Sequence, residues 1–128
     1  MRTIKFRAKD IETGNWRYGD LVTYCGATES QICDWNTDLG LYDIEADTIG
    51  QFIGLCDMEG KGIYEGDVLM VEGIKTNRYS KVWWNPEKFT FYIGHSPLDA
   101  YIIDDGRLRE FRIAGNIYDN PELKEKLV

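Results

Sequence analysis

Turn-forming residues cut this chain into short apolar runs at intervals of roughly 8 to 12 residues, a spacing that suits many short strands and few helices. Glu12-Thr13-Gly14-Asn15, Asn85-Pro86 and Asp104-Asp105-Gly106 mark three of these turns. Ile4, Phe6 and Ala8 share one face and Lys5, Arg7 and Lys9 the other, a period of two that predicts a half-buried strand. Trp16, Tyr18 and residues 21–24 then return as the second strand of an antiparallel meander. Residues 18–60 show no sustained helical period and read as short strands and loops, with one turn of helix within residues 45–51. Residues 51–64 form two apolar stretches joined by a polar, Gly-containing hairpin loop, and Glu65-Gly66-Asp67 turns into a strand at residues 68–71. Further strands are expected at residues 79–84, 88–93, 100–103 and 109–118. The fold class is mainly β, a small meander followed by a small antiparallel barrel. A short C-terminal helix closes it, with Asp119 or Asn120 as cap, Pro121 in the first helical position, and Leu123 and Leu127 at i and i+4.

The chain has 128 residues, of which 43% are hydrophobic. That suits one compact unit overall, divided into an acidic β-rich lobe at residues 1–60 and a barrel with the helix at residues 61–128. No apolar run approaches the roughly 18 to 20 residues of a membrane span, and the start lacks a signal-peptide core, so a cytoplasmic protein is expected. Cys25, Cys33 and Cys56 are odd in number and without C-x-x-C spacing, so they read as reduced thiols. The formal charge of −7 opposes general phosphate binding, yet it is unevenly placed. Residues 18–60 contain nine acidic residues and no Lys or Arg. From Glu65 onward, nine basic residues nearly balance eleven acidic ones.

Catalytic and cofactor chemistry finds little purchase. Gly60-Lys61-Gly62-Ile63-Tyr64-Glu65-Gly66 misses the G-x-G-x-x-G spacing by one residue and leads into a strand, so it offers no helix N-terminus to a pyrophosphate. His95 is the only histidine, and no D-x-D-x-D-G loop occurs, so no metal, cofactor or catalytic residue is expected. Asp57 with Glu59, and Glu65 with Asp67, could act as general acid and base only if desolvated. Solvated turn carboxylates are the favoured reading. Asp67 differs, because an Asp after Gly in a tight turn accepts backbone N–H bonds, and Asp67→Ala should cost roughly 1 to 3 kcal/mol if those bonds are buried. Trp83, Trp84, Phe89, Phe91 and Tyr92 form one candidate partner-binding surface, and the acidic lobe is the other. Alternation places Trp83 and Trp84 on opposite faces and Phe89 with Phe91 on one face. Packing in a core or oligomer interface is favoured over stacking with single-stranded nucleic acid.

Three stretches resemble the YopX protein family of phage and prophage origin. Residues 2–10 are similar to an opening I-K-F-R-A-W-D, with Lys9 where the family has Trp. Residues 51–68, including Gly54, Asp57, Gly60, Tyr64, Gly66 and Asp67, resemble Q-(Y/F)-T-G-L-x-D-x-x-G-K-x-I-Y-E-G-D, with Ile53 in place of Thr. Residues 114–123, including Gly115, Asn116, Tyr118 and Pro121, match I-G-N-I-Y-E-N-P-E-L. The resemblance implies that the C-terminal barrel is SH3-like and that the matched residues are fold determinants, and it implies no activity or cofactor. The expected function is that of a non-enzymatic phage or prophage accessory protein in the bacterial cytoplasm, a homo-oligomer that binds an unidentified phage or host protein. Nucleic-acid binding by the barrel half is the alternative.

Overall fold

A computed structural model describes residues 2–25, 29–37, 40–94, 101–102 and 110–127, the pair 101–102 by backbone alone. His95 and the Asp104-Asp105-Gly106 turn lie outside the described residues. Eleven strands are described: β1 (Phe6–Lys9), β2 (Trp16–Thr23), β3 (Ser30–Asp34), β4 (Leu41–Asp43), β5 (Gly50–Cys56), β6 (Gly62–Tyr64), β7 (Asp67–Val71), β8 (Arg78–Asn85), β9 (Thr90–Ile93), β10 (Tyr101–Ile102) and β11 (Arg112–Asn116). Short 3₁₀ turns stand at Ala46–Thr48 and Pro121–Lys126. The strands make two antiparallel sheets, of order β4-β3-β2-β1-β5-β6 and β10-β9-β8-β7-β11.

The chain divides into two compact units, Met1–Phe52 and Ile53–Val128, with the division inside β5. In the first, β1 pairs with β2 from Phe6↔Gly19 to Lys9↔Trp16, the expected meander, and β3 and β4 extend it. Ala8, Ile32 and Ile44 form its buried centre, with Phe6, Leu21 and Ile49 packed against them. The β1–β2 turn is shaped by Asp10, whose Oδ1 accepts the Glu12 N–H at 2.8 Å while its carbonyl accepts the Gly14 N–H.

In the second unit, Ile63, Leu69, Val82, Ile93 and Phe111 make a fully apolar core, backed by Ile53, Leu55, Val71 and Ile113. Here the expected barrel is replaced by an open sheet. Closing a barrel requires the two end strands to pair along their length, and β10, at one end, has two residues. At the other end, β11 shifts register against β7 between Ile113 and Gly115, a bulge that bends the strand.

The C-terminal helix is a six-residue 3₁₀ segment instead of an α-helix. Pro121 opens it as expected, but no side chain caps it. The Asn120 Oδ1 turns back to accept the Asn116 N–H at 3.2 Å, so the residue expected to cap the helix closes the preceding turn. Leu123 is buried, while Leu127 bridges to Tyr79 in β8.

Candidate functional site

The β8–β9 hairpin carries the aromatic surface. Its register sets Trp83 opposite Tyr92 and Trp84 opposite Phe91, and paired residues of an antiparallel ladder share a face. Trp83 and Tyr92 accordingly pack on one side, centroids 5.5 Å apart and tilted by 56°. Trp84 and Phe91 meet edge to face on the other, at 5.0 Å and 70°. That second side also holds Val82 and Ile93, so the apolar core face runs out along the hairpin to its tip. Trp84 remains 41% exposed there.

Phe89 departs from the expectation that it shares a strand face with Phe91. It belongs to the turn between β8 and β9, with φ of 54° and 79% of its surface exposed. Asn85 is the physical reason. Its Oδ1 accepts the N–H groups of Glu87 and Lys88, and its carbonyl accepts the Phe89 N–H at 2.9 Å. These bonds wind the chain through four turn residues, and the last must enter the left-handed region to rejoin a strand. Gly or Asn is the usual occupant, since a bulky side chain there is strained. Phe89 is the only non-glycine residue at positive φ among the described residues.

The motif residues occupy a different part of the second unit and serve its architecture. Asp57 and Asp67 are both buried, which corrects the solvated-carboxylate reading for Asp57, while Asp67 accepts a backbone N–H as expected. Asp57 Oδ1 accepts the N–H groups of Glu59 and Lys61, at 2.9 Å each, and Oδ2 accepts that of Ile113 at 3.0 Å. One carboxylate thus shapes the hairpin loop and pins it to β11. Burial pushes its pKa up, but the Ile113, Lys61 and Glu59 amides outweigh burial and hold it below the ordinary value. A lowered pKa is opposite to what a general acid needs. Asp67 Oδ2 accepts the Tyr64 N–H at 2.8 Å, holding the corner into β7.

Gly54, Gly60 and Gly66 take positive φ, and Gly66 has a second constraint. A Cβ there would lie 2.9 Å from the Tyr118 ring, so Gly66 and Tyr118 are matched by contact as well as by turn geometry. Gly115 has ordinary φ, but its Cβ would collide with the Asn120 amide and crowd Leu123. Asn116 is buried, and its Oδ1 accepts the Tyr118 and Asp119 N–H groups at 2.9 and 2.8 Å. The closing motif is a turn that seats the Pro121–Lys126 segment.

Sequence reading overlooked a polar cluster in the first unit. Arg17 donates to Asp10 Oδ2 from Nε at 3.1 Å and Nη2 at 2.9 Å, and Nη1 lies 3.5 Å from Asp34 Oδ2. Its guanidinium carbon sits 3.7 Å from the centre of the Tyr42 ring. Burial raises the Asp10 pKa, yet Arg17 and the neighbouring amides outweigh it and hold the carboxyl low. The available signal was the period of two, which places Asp10, Arg17 and Asp34 on the face of Ala8 and Ile32. The opposite face lines up Lys5, Arg7 and Lys9 with aromatic rings. Arg7 stands 4.6 Å over Trp16 and is only 5% exposed, so this row is packed rather than open to a ligand.

All three cysteines are free, and among the described residues no group of three or more His, Cys, Asp or Glu is placed to hold a metal ion. No described helix is long and apolar enough to cross a membrane.

Among solved structures, the chain is similar to the crystal structure of protein EF1440 from Enterococcus faecalis, with a TM-score of 0.61 and 20% identity over 96% of this chain and 99% of that one. At this identity the likeness concerns the fold. No curated protein gives a significant match. The model of the YopX protein family matches residues 5–125, nearly the whole chain, including the central and closing motifs and most of the opening one, and the chain belongs to that family.

Proposed function

We propose that this protein is a non-enzymatic binding protein that self-associates, and contacts a phage or host protein, through the tip of the β8–β9 hairpin. The observation that carries this reading is Phe89, a bulky apolar side chain kept exposed at a left-handed position that Gly or Asn would occupy with less strain. Trp84 and Phe91 carry the apolar core face out along the same hairpin, and exposed aromatics of this kind mark protein contacts. A phage or prophage accessory role in the bacterial cytoplasm fits the family resemblance.

Size-exclusion chromatography with light scattering tests it. The wild-type chain is expected to form an oligomer that Trp84→Ser with Phe89→Asn converts to monomer. A wild-type monomer at every accessible concentration removes the self-association reading. Titration with labelled single-stranded and duplex DNA at two salt concentrations tests the alternative, since phosphate contacts weaken steeply with salt.

A further inference from the structure

The hairpin that carries Phe89 is basic within an acidic chain. Residues 78–93 hold Arg78, Lys81 and Lys88 against Glu87 alone, while the whole chain has a charge of −7. Among the described residues none of these three cations has a carboxylate partner. The outer face of β2, β3 and β4 has the opposite character. Strand register sets Asp20, Cys33 and Leu41 in one row and Val22, Gln31 and Asp43 in the next, all on the side away from the buried Ile32. Leu41 is 54% exposed, and Asp20 and Asp43 are exposed on the same face. A polar chain fixes Asp43, since the Tyr24 hydroxyl donates to Gln31 Oε1 at 2.7 Å and Gln31 Nε2 donates to Asp43 Oδ1 at 2.9 Å. Neither Asp20 nor Asp43 has a cationic partner among the described residues. The cations of residues 5–9 lie over rings instead, Lys5 5.6 Å from that of Trp35, and Arg7 and Lys9 4.6 and 5.6 Å from that of Trp16.

We infer that the hairpin tip of one copy docks on this face of a second copy, head to tail. Phe89 and Trp84 lie on Leu41 and Val22, and Lys88, which directly precedes Phe89, enters between the carboxylates of Asp20 and Asp43. Opposite charge favours this meeting, whereas tip against tip or face against face brings like charges together. Because two different surfaces meet, the contact repeats from copy to copy and closes into a ring or extends as a filament. It rests on the self-association proposed above and adds the surface that receives the tip.

The test mixes two variants of the full chain and measures mass by size-exclusion chromatography with light scattering. Trp84→Ser with Phe89→Asn removes the tip, and Asp20→Asn with Leu41→Ser and Asp43→Asn removes the receiving face. Each variant alone is expected to be monomeric, and their equimolar mixture to form a heterodimer of one copy of each and nothing larger, weakened by salt. A receiving-face variant that keeps the wild-type oligomer, or a mixture that stays monomeric, overturns the inference and leaves self-association through the tip standing. A wild-type monomer overturns both. All five substituted positions are exposed, and carbodiimide crosslinking of wild-type chain mixed from light and heavy isotope copies reads the contact without any substitution. A bond between copies from Lys88 to Asp20 or Asp43 is expected, and bonds from Lys88 to other carboxylates alone overturn the inference.

Discussion

In the first unit, Asp10 and Asp34 share one guanidinium in addition to the backbone amide that each accepts at Oδ1, whereas in the second Asp57 accepts three backbone amides and Asp67 accepts that of Tyr64. The hydrophobic centres differ in parallel. Among the described residues, three buried ones form the hydrophobic cluster of the first unit and five that of the second. Buried carboxylates need compensation in either setting, because an unpaired charge in an apolar interior is costly. A guanidinium supplies it with a second side chain that must itself be packed, here on Tyr42. Amides supply it from backbone that the hairpin already contains, so the carboxylate becomes a template for the turn. Removing Asp57 should therefore disturb backbone geometry, whereas removing Arg17 should disturb side-chain packing on Tyr42 and leave the Asp10 turn its Glu12 bond.

The largest effect that would sharpen this contrast is Leu69→Ala. Leu69 is fully buried in the apolar centre of the second unit, and its truncation should cost about 3 kcal/mol in chemical denaturation. A loss below about 1 kcal/mol would mean that this core collapses around the cavity and is less tightly built than described. Asp57→Ala should follow, at about 2 kcal/mol, because three amides lose their charged acceptor. Faster hydrogen exchange at Glu59, Lys61 and Ile113 would show that the damage is to the backbone, as the comparison requires.

Acid titration comes next. Asp10 and Asp57 have folded pKa values below the ordinary 3.8, so each contributes stability that is complete above 3.8 and is lost as pH falls through its lower folded value. Melting temperature should fall between about pH 4 and pH 2, and by less in Asp57→Asn, which has one depressed carboxyl fewer. An identical fall in both proteins would break the assignment of Asp57. The smallest effect is a gain. Phe89→Asn should stabilise the fold by about 0.5 kcal/mol through relief of the left-handed strain while weakening self-association. A destabilised variant would indicate that the Phe89 ring is anchored within its own chain.

Much of the strand pattern was legible because a period of two is a local property. Phe6 and Ala8 alternate with Arg7 and Lys9 whatever else the chain does, and Trp83 and Trp84 had to face apart. Phe89 was misplaced because its conformation depends on the Asn85 side chain four residues earlier, which shortens β9 to begin at Thr90. The burial of Asp57 was hidden for a different reason. Its third partner, the Ile113 amide, lies 56 residues away, and without β11 the same carboxylate would be an ordinary turn residue.

The amino-acid sequence alone determined the mainly antiparallel β class, the turns at residues 12–15 and 65–67 and the family, because these rest on side-chain period, on Gly and Asn, and on contiguous motifs. Only the tertiary structure decided that the second sheet stays open, that Asp57 is a buried template and that Arg17 joins two carboxylates. Each of those outcomes depends on register between strands distant in the chain, and register is set by how whole faces pack.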